Sequence, residues 1–102
     1  MQTFLMLTRV SPEGLSTPGT LEKLEKRLMN HLRTECPQVK WVHNYAVLGA
    51  FDYVDMFEAP DIETATRVAM LVRTYGHAHV EVWPATSWSR FKEMLHPVSQ
   101  VA

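Results

Sequence analysis

The strongest constraint on the fold is the order in which two side-chain periodicities follow one another along the chain. Stretches rich in β-branched and aromatic residues are typical of strands, whereas apolar residues three or four apart are typical of helices. The strand-like stretches are residues 2–10, 39–48, 53–59 and 77–83, and helical spacing follows the first and the third of them. The order β-α-β-β-α-β predicts a ferredoxin-like α+β fold with a four-stranded antiparallel sheet in the order 4-1-3-2 and both helices on one face.

Capping residues give the limits of the first two helices. In the first, Thr17 is the predicted N-cap, Pro18 occupies the first turn, and the Cys36-Pro37 pair ends the helix. Its apolar stripe is Leu21, Leu24, Leu28 and Leu32. In the second, Asp61 is the predicted N-cap and Gly76 the residue that stops the helix. Its stripe is Ile62, Ala65, Ala69 and Val72.

A short helix is predicted after the fourth strand, which we expect Pro84 to end. It covers about residues 87–96, between Ser87 and Pro97. Trp88, Phe91 and Leu95 share one side of it, which favours packing on its own subunit or on a partner. The 102 residues therefore form a single domain, residues 1–102, with its core in residues 2–84.

Composition excludes several classes of function. The formal net charge is -1, so no basic field draws in nucleic acid. Cys36 is the single cysteine, which excludes an intrachain disulfide and a cysteine-rich metal site. No apolar stretch approaches the roughly 20 residues of a membrane span, and no basic segment precedes the apolar run near the start. We therefore expect a cytoplasmic protein that binds neither nucleic acid nor membrane.

Four short segments, in order, resemble the GYD domain family. They are residues 6–9 (MLTR), 12–15 (PEGL), 45–53 (YAVLGAFDY) and 58–61 (EAPD), and the resemblance runs from about residue 2 to residue 83. Phe51 stands where the family usually carries tyrosine, and Val47 where threonine is common. The family is similar to the dimeric α+β barrel group, so the resemblance implies a homodimer in which two sheets pack face to face.

The resemblance does not choose an activity, since the wider group includes haem-degrading monooxygenases, small-molecule isomerases and ligand-sensing domains. Asp52 lies in the family's motif and directly before the third strand, where a carboxylate typically stabilises a turn.

Alternation along the strands predicts which side chains face away from the helices. In the fourth strand we expect Val80 and Val82 to face the helices and the residues between them to lie on the open face. The same reasoning places Val54 and Met56 towards the helices. The predicted open face then contains Tyr53, Asp55, Phe57, His77, His79, Glu81 and Trp83. Trp41, His43 and Tyr45 join it only if the hairpin loop has three residues, because a one-residue change reverses the faces of a strand.

An open face of this composition predicts a homodimer interface that encloses a small polar pocket, and an interface without a ligand is the other interpretation. The predicted ligand-binding residues are His43, Tyr45, Tyr53, Phe57 and Trp83. Asp55, His79 and Glu81 are candidates for acid–base catalysis in an isomerase or cofactor-poor monooxygenase. Binding domain, enzyme and pure interaction module therefore all stay open.

His77, His79 and Glu81 have the spacing of metal ligands, but His77 directly follows a glycine, which favours a loop at that position. No metal site is predicted from them, and no pattern in the chain calls for a cofactor.

Overall fold

The predicted element order and strand order are confirmed in the structure, a computed structural model that describes residues 1–10 and 18–101. The strands are β1 (Gln2–Val10), β2 (Lys40–Ala46), β3 (Tyr53–Ala59) and β4 (Ala78–Ala85), and the helices are α1 (Pro18–Glu35), α2 (Ile62–Gly76) and α3 (Trp88–Val101). Within the described residues the strands pair antiparallel in one sheet of order β2-β3-β1-β4. This is the ferredoxin-like arrangement that the periodicities predict.

The first helix ends where the sequence predicts. The Cys36 amide donates to the Leu32 carbonyl over 2.8 Å, and Pro37 follows. The Cys36 thiol is buried, which raises its pKa and keeps it protonated. The predicted N-cap, Thr17, lies outside the described residues.

The second helix begins as predicted and ends differently. The Asp61 carboxylate accepts from the Thr64 hydroxyl and from the Thr64 amide, each over 2.7 Å, and these hydrogen bonds lower the pKa of Asp61. The prediction that Gly76 is the residue after the helix was wrong, because Gly76 is its last residue and His77 takes the left-handed conformation, with φ 48° and ψ 43°. Gly76 instead gives α1 room, since a Cβ there would lie 3.3 Å from Leu28 Cδ2.

Three smaller corrections concern prolines and exposure. β4 continues through Pro84, and an edge strand such as β4 tolerates a proline better than an inner strand does. α3 continues past Pro97 to Val101, since a proline removes one backbone hydrogen bond without forbidding the turns that follow. Ile62 was predicted in the apolar stripe of α2 but is 61% exposed, at the first turn of the helix.

Asp52 ties the β2–β3 hairpin to the end of β1. Its carboxylate accepts from the Val10 amide, and its own amide donates to the Thr8 carbonyl, each over 2.8 Å. Its carbonyl accepts from the Val47 amide over 2.9 Å and closes the loop. The predicted turn-stabilising role of Asp52 is confirmed, although the loop of residues 47–52 is longer than three residues.

The core lies between the sheet and the two long helices. Phe57 is 0% exposed and stacks on Phe4 with ring centroids 5.4 Å apart. Val80 is equally buried and Val82 packs against the same cluster, which confirms the predicted orientation of β4. Burial of a large aromatic ring contributes several kcal/mol, so this cluster fixes which face of the sheet the helices cover.

The predicted orientation of β3 was wrong. Phe57 pairs with Phe4 in the core, so Tyr53 and Asp55, which alternate with it, also face the helices rather than the open side. Val54 and Met56 therefore lie on the open face. The prediction assumed that the apolar Val54 and Met56 face the helices. It did not take into account the pairing of Phe57 with β1, which decides the orientation of the strand.

A bulge in β2 settles the orientation that the sequence left open. Trp41 is opposite Phe57 and packs on it, with centroids 5.1 Å apart. The register shifts between Trp41 and His43, so that His43 and then Tyr45 lie opposite Met56 and Val54 on the open face. The three residues that were expected to share a face are therefore divided between the two faces.

Candidate functional site

A cleft separates α1 from the helix-facing side of the sheet. Its volume is about 550 Å³, within the size range of small-molecule sites. Most of the wall is apolar and comes from α1, β1, β2 and α2. The apolar lining residues include Met6, Val10, Leu21, Leu24, Leu28, Met29, Leu32, Trp41 and Val72. A concave apolar surface with a few polar groups is what small ligands commonly occupy in proteins.

Four polar side chains from three neighbouring strands line the sheet side of this cleft: Thr8, Asn44, Tyr53 and Asp55. The strand register brings them together, since Asn44 is directly opposite Asp55 and Thr8 is directly opposite Tyr53. Directly opposed residues have Cβ atoms roughly 5 Å apart. The arrangement therefore concentrates hydrogen-bonding groups on one side of an otherwise apolar space.

Asp55 is the carboxyl group at the centre of this polar set. Burial raises its pKa from 3.8 to about 6, because the ionised form loses water in the cleft. Among residues 1–10 and 18–101, no hydrogen-bond donor or cation compensates for that loss. A carboxyl group that titrates near neutral pH inside a cleft is typical of binding and catalytic sites.

Thr8 presents a second incomplete group. The residue is 7% exposed, and its hydroxyl oxygen has no hydrogen-bond partner among the described residues. Buried polar atoms are nearly always paired, because an unpaired one costs roughly 1–3 kcal/mol. Two unsatisfied polar side chains that face the same cleft indicate a space suited to a molecule that satisfies them.

The charged residues that line the cleft on the α1 side are Glu22, Glu25 and Arg33. All three are exposed. Together with Asp55, the cleft is lined by three carboxyl groups and one guanidinium group. The charged part of the lining is thus predominantly acidic.

The structure divides the predicted site residues among three places. Tyr53 and Asp55 line the cleft, and Phe57 is buried in the core. The remaining ones lie on the open face: His43, Tyr45, His79, Glu81 and Trp83. Tyr45, on the edge strand, also borders the cleft.

The open-face residues form two groups at opposite edges of the sheet. At the β4 edge, Trp83 Nε1 donates to Glu81 over 3.0 Å, and His79 Nε2 lies 3.4 Å from the same carboxylate. The Trp83 hydrogen bond, followed by that of His79, lowers the pKa of Glu81. At the β2 edge, the His43 and Tyr45 rings stack at 6.0 Å.

Asp55 lies on the other face of the sheet from His79 and Glu81, so it forms no acid–base pair with either of them. His77 lies outside β4 in the left-handed turn and does not share a strand face with His79. In the part of the chain that the structure describes, no three His, Cys, Asp or Glu side chains gather as metal ligands.

Sequence reasoning missed Thr8 and Asn44. Thr8 is the one hydroxyl residue among the helix-facing positions of β1, where Phe4, Met6 and Val10 are apolar. That contrast is a usable signal once the helix-facing side of β1 is known. Asn44 had no such signal, because its face depends on the bulge in β2.

A sheet of order β2-β3-β1-β4 with two helices on one side defines a ferredoxin-like α+β domain. The chain belongs to the GYD domain family, which matches residues 4–95. No curated protein matches the chain. Among the described residues, no helix is long and apolar enough to cross a membrane.

Proposed function

We propose that this protein binds a small organic molecule in the cleft between α1 and the sheet. The observation that carries the proposal is the placement of Asp55, an uncompensated carboxyl group on the polar side of an apolar space of about 550 Å³. A ligand that pairs with Asp55 and Thr8 would offset the cost of keeping both groups away from water. The apolar walls would supply most of the binding free energy.

We further propose that two copies associate through their open sheet faces. The centre of that face contains Leu5, Leu7, Val54 and Met56, which the register places side by side on β1 and β3. Tyr45 and Trp83 flank them and are 60% and 46% exposed. Leu7 is already 9% exposed in the single chain, so association of two such faces would remove mainly the exposed parts of Leu5, Val54 and Met56 from water. A pocket between the facing sheets, lined by His43 and Trp83, remains a prediction that depends on the dimer.

The cleft proposal is tested with N-phenyl-1-naphthylamine, a neutral apolar fluorophore that brightens away from water. We expect the fluorophore to bind the wild-type protein. It should bind Leu24→Trp much more weakly, because an indole ring at position 24 would fill part of the cleft. The matched control is Lys23→Trp, which adds the same ring to the exposed side of α1. Equal binding by both variants would overturn the proposal. Absence of binding to the wild-type protein would favour an interaction module without a ligand.

General-base catalysis is a second candidate function, favoured by the pKa of about 6 of Asp55. A carboxylate in an apolar site can remove a proton from a carbon next to a carbonyl group. The test is deuterium incorporation into phenylacetone in D₂O, followed by proton NMR. We expect faster exchange with wild-type protein than with Asp55→Asn, and equal rates would exclude catalysis by Asp55 on this class of substrate.

A further inference from the structure

We infer that the ligand of the cleft is an organic cation with an apolar body, such as a primary amine that bears an aromatic or aliphatic group. The inference rests on the proposed function and specifies its ligand class. It follows from the placement of the charged, hydroxyl and aromatic side chains around the cleft. It predicts that the cleft binds cations more tightly than neutral or anionic molecules of the same shape.

The charge of the cleft is the first argument. Asp55 lies on the sheet side without a cation to pair with among the described residues, and Glu22 and Glu25 line the α1 side. Arg33 is the single cation that the described lining residues provide. An ammonium group next to Asp55 would form a charge-assisted hydrogen bond in a poorly hydrated place, where such bonds are strongest.

The hydroxyl group of Thr8 is the second, independent argument. It is nine-tenths buried, lacks a hydrogen-bond partner among the described residues and lines the same cleft. Its oxygen can accept a second N–H of an ammonium group held by Asp55. A carboxylate ligand would reach the Thr8 hydroxyl only by placing its own charge near Asp55, which is unfavourable.

The aromatic walls are the third argument. Trp41 and Tyr53 line the cleft on the sheet side, on either side of Asp55 along the strands. The faces of aromatic rings attract cations by roughly 0.5–2 kcal/mol. The leucine and methionine side chains of α1 then cover the apolar body of the ligand.

The test compares three probes that share a phenylbutyl body: 4-phenylbutylamine, 4-phenylbutan-1-ol and 4-phenylbutyrate. Each is titrated at pH 7.5 into the wild-type protein, and amide shifts of residues in β1 and β3 are followed by NMR. We expect the amine to bind about tenfold more tightly than the alcohol, and the carboxylate more weakly than the alcohol. In Asp55→Asn the preference for the amine should fall to about twofold or less, whereas Glu81→Gln, on the open face, should keep it.

The pH dependence gives a second readout. The preference for the amine should decrease between pH 7 and pH 5 as Asp55 takes up a proton. The other titratable or charged groups that line the cleft are Glu22, Glu25, Arg33, Tyr45 and Tyr53. Any effect of these groups on the preference for the amine is measured as the pH dependence that remains in Asp55→Asn.

The possible results separate the two proposals. If the three probes bind equally, or the amine preference survives in Asp55→Asn, the inferred ligand class is wrong while the cleft stays a binding site. If the amine shifts only residues of the open face, or binds Leu24→Trp as well as wild type, then binding in the cleft is itself wrong. Failure of all three probes to bind, with the naphthylamine still bound in the cleft, also overturns the inferred class.

Discussion

One face of the sheet is covered by the two long helices and the other is not. The covered face contains polar side chains and the uncovered face has an apolar centre, although the reverse would be expected. The face beneath the helices contains Asp55, Thr8 and Tyr53 beside its aromatic core. The face away from the helices has an apolar centre, with Val54 and Met56 next to leucines of β1. A helix that stands away from its sheet leaves a cleft, and a cleft tolerates polar groups that a closely packed core does not. A sheet face that is covered by a helix is therefore not necessarily apolar.

The largest expected effect tests which face contains the core. Phe57→Ala should lower the free energy of unfolding by about 3–5 kcal/mol, because it empties the site of a fully buried ring. Its neighbour Met56, which points to the opposite face, is half-buried, and Met56→Ala should cost less than half as much. Urea denaturation of both variants measures the difference. Equal losses would contradict the orientation of β3.

The second prediction concerns association through the open face. Val54→Lys combined with Met56→Lys should raise the dimer dissociation constant at least about a hundredfold, because two uncompensated charges would enter the interface. Thr34→Lys, on the exposed surface of α1, is the control for added charge. Sedimentation velocity over a range of concentrations distinguishes the species. If the double variant sediments like the wild-type protein, the open face is not the interface.

The third prediction concerns the pH dependence caused by Asp55. Its pKa is about 6 in the folded protein against 3.8 ordinarily, so folding takes up a proton between these values. Stability from this group is therefore complete below pH 3.8 and is lost as the pH rises through about 6. At pH 7, Asp55→Asn should be more stable than the wild-type protein by on the order of 1–2 kcal/mol, because water in the cleft screens part of the effect.

Urea denaturation from pH 4 to pH 7 tests this prediction. The difference between the two proteins should grow with pH and be smallest at pH 4. Because all other groups are common to both proteins, their contributions cancel in that difference. A constant difference would show that Asp55 keeps its ordinary pKa.

The smallest effect is expected on the open face and has the opposite sign. Hydrogen bonds from Trp83 and His79 lower the pKa of Glu81 in the folded protein. The stability that Glu81 contributes is present above its ordinary pKa and is lost as the pH falls through the folded one. Glu81→Gln should therefore be slightly less stable than wild type at pH 7, with a difference that shrinks in acid. Thermal unfolding at pH 3 and pH 7 measures it, and a variant more stable than wild type at pH 7 would contradict it.

The sequence predicts the elements and their order well because local signals define them. β1 and β3 have the predicted limits, and Asp61 and Pro37 mark helix ends through local hydrogen bonding and sterics. Asp52 was also assigned its role in the turn from its position alone, and its hydrogen bonds agree.

The candidate site was less predictable because it depends on relations between strands. In β3, residues 53–57 alternate so that either set could be buried, and only the pairing of Phe57 with Phe4 decides. In β2, one extra residue at the bulge separates Trp41 from His43. The cleft itself depends on the distance of α1 from the sheet, for which the amphipathic pattern of α1 contains no information.

The bulge in β2 and the proline in β4 both affect whether another chain can pair with the edges of the sheet. β2 and β4 are the two outer strands, and an outer strand offers free N–H and C=O groups onto which further chains can add. The shift between Trp41 and His43 interrupts this row in β2, and β4 contains Pro84, which has no N–H to donate. Growth of the sheet into ribbons or fibrils is therefore disfavoured at both margins.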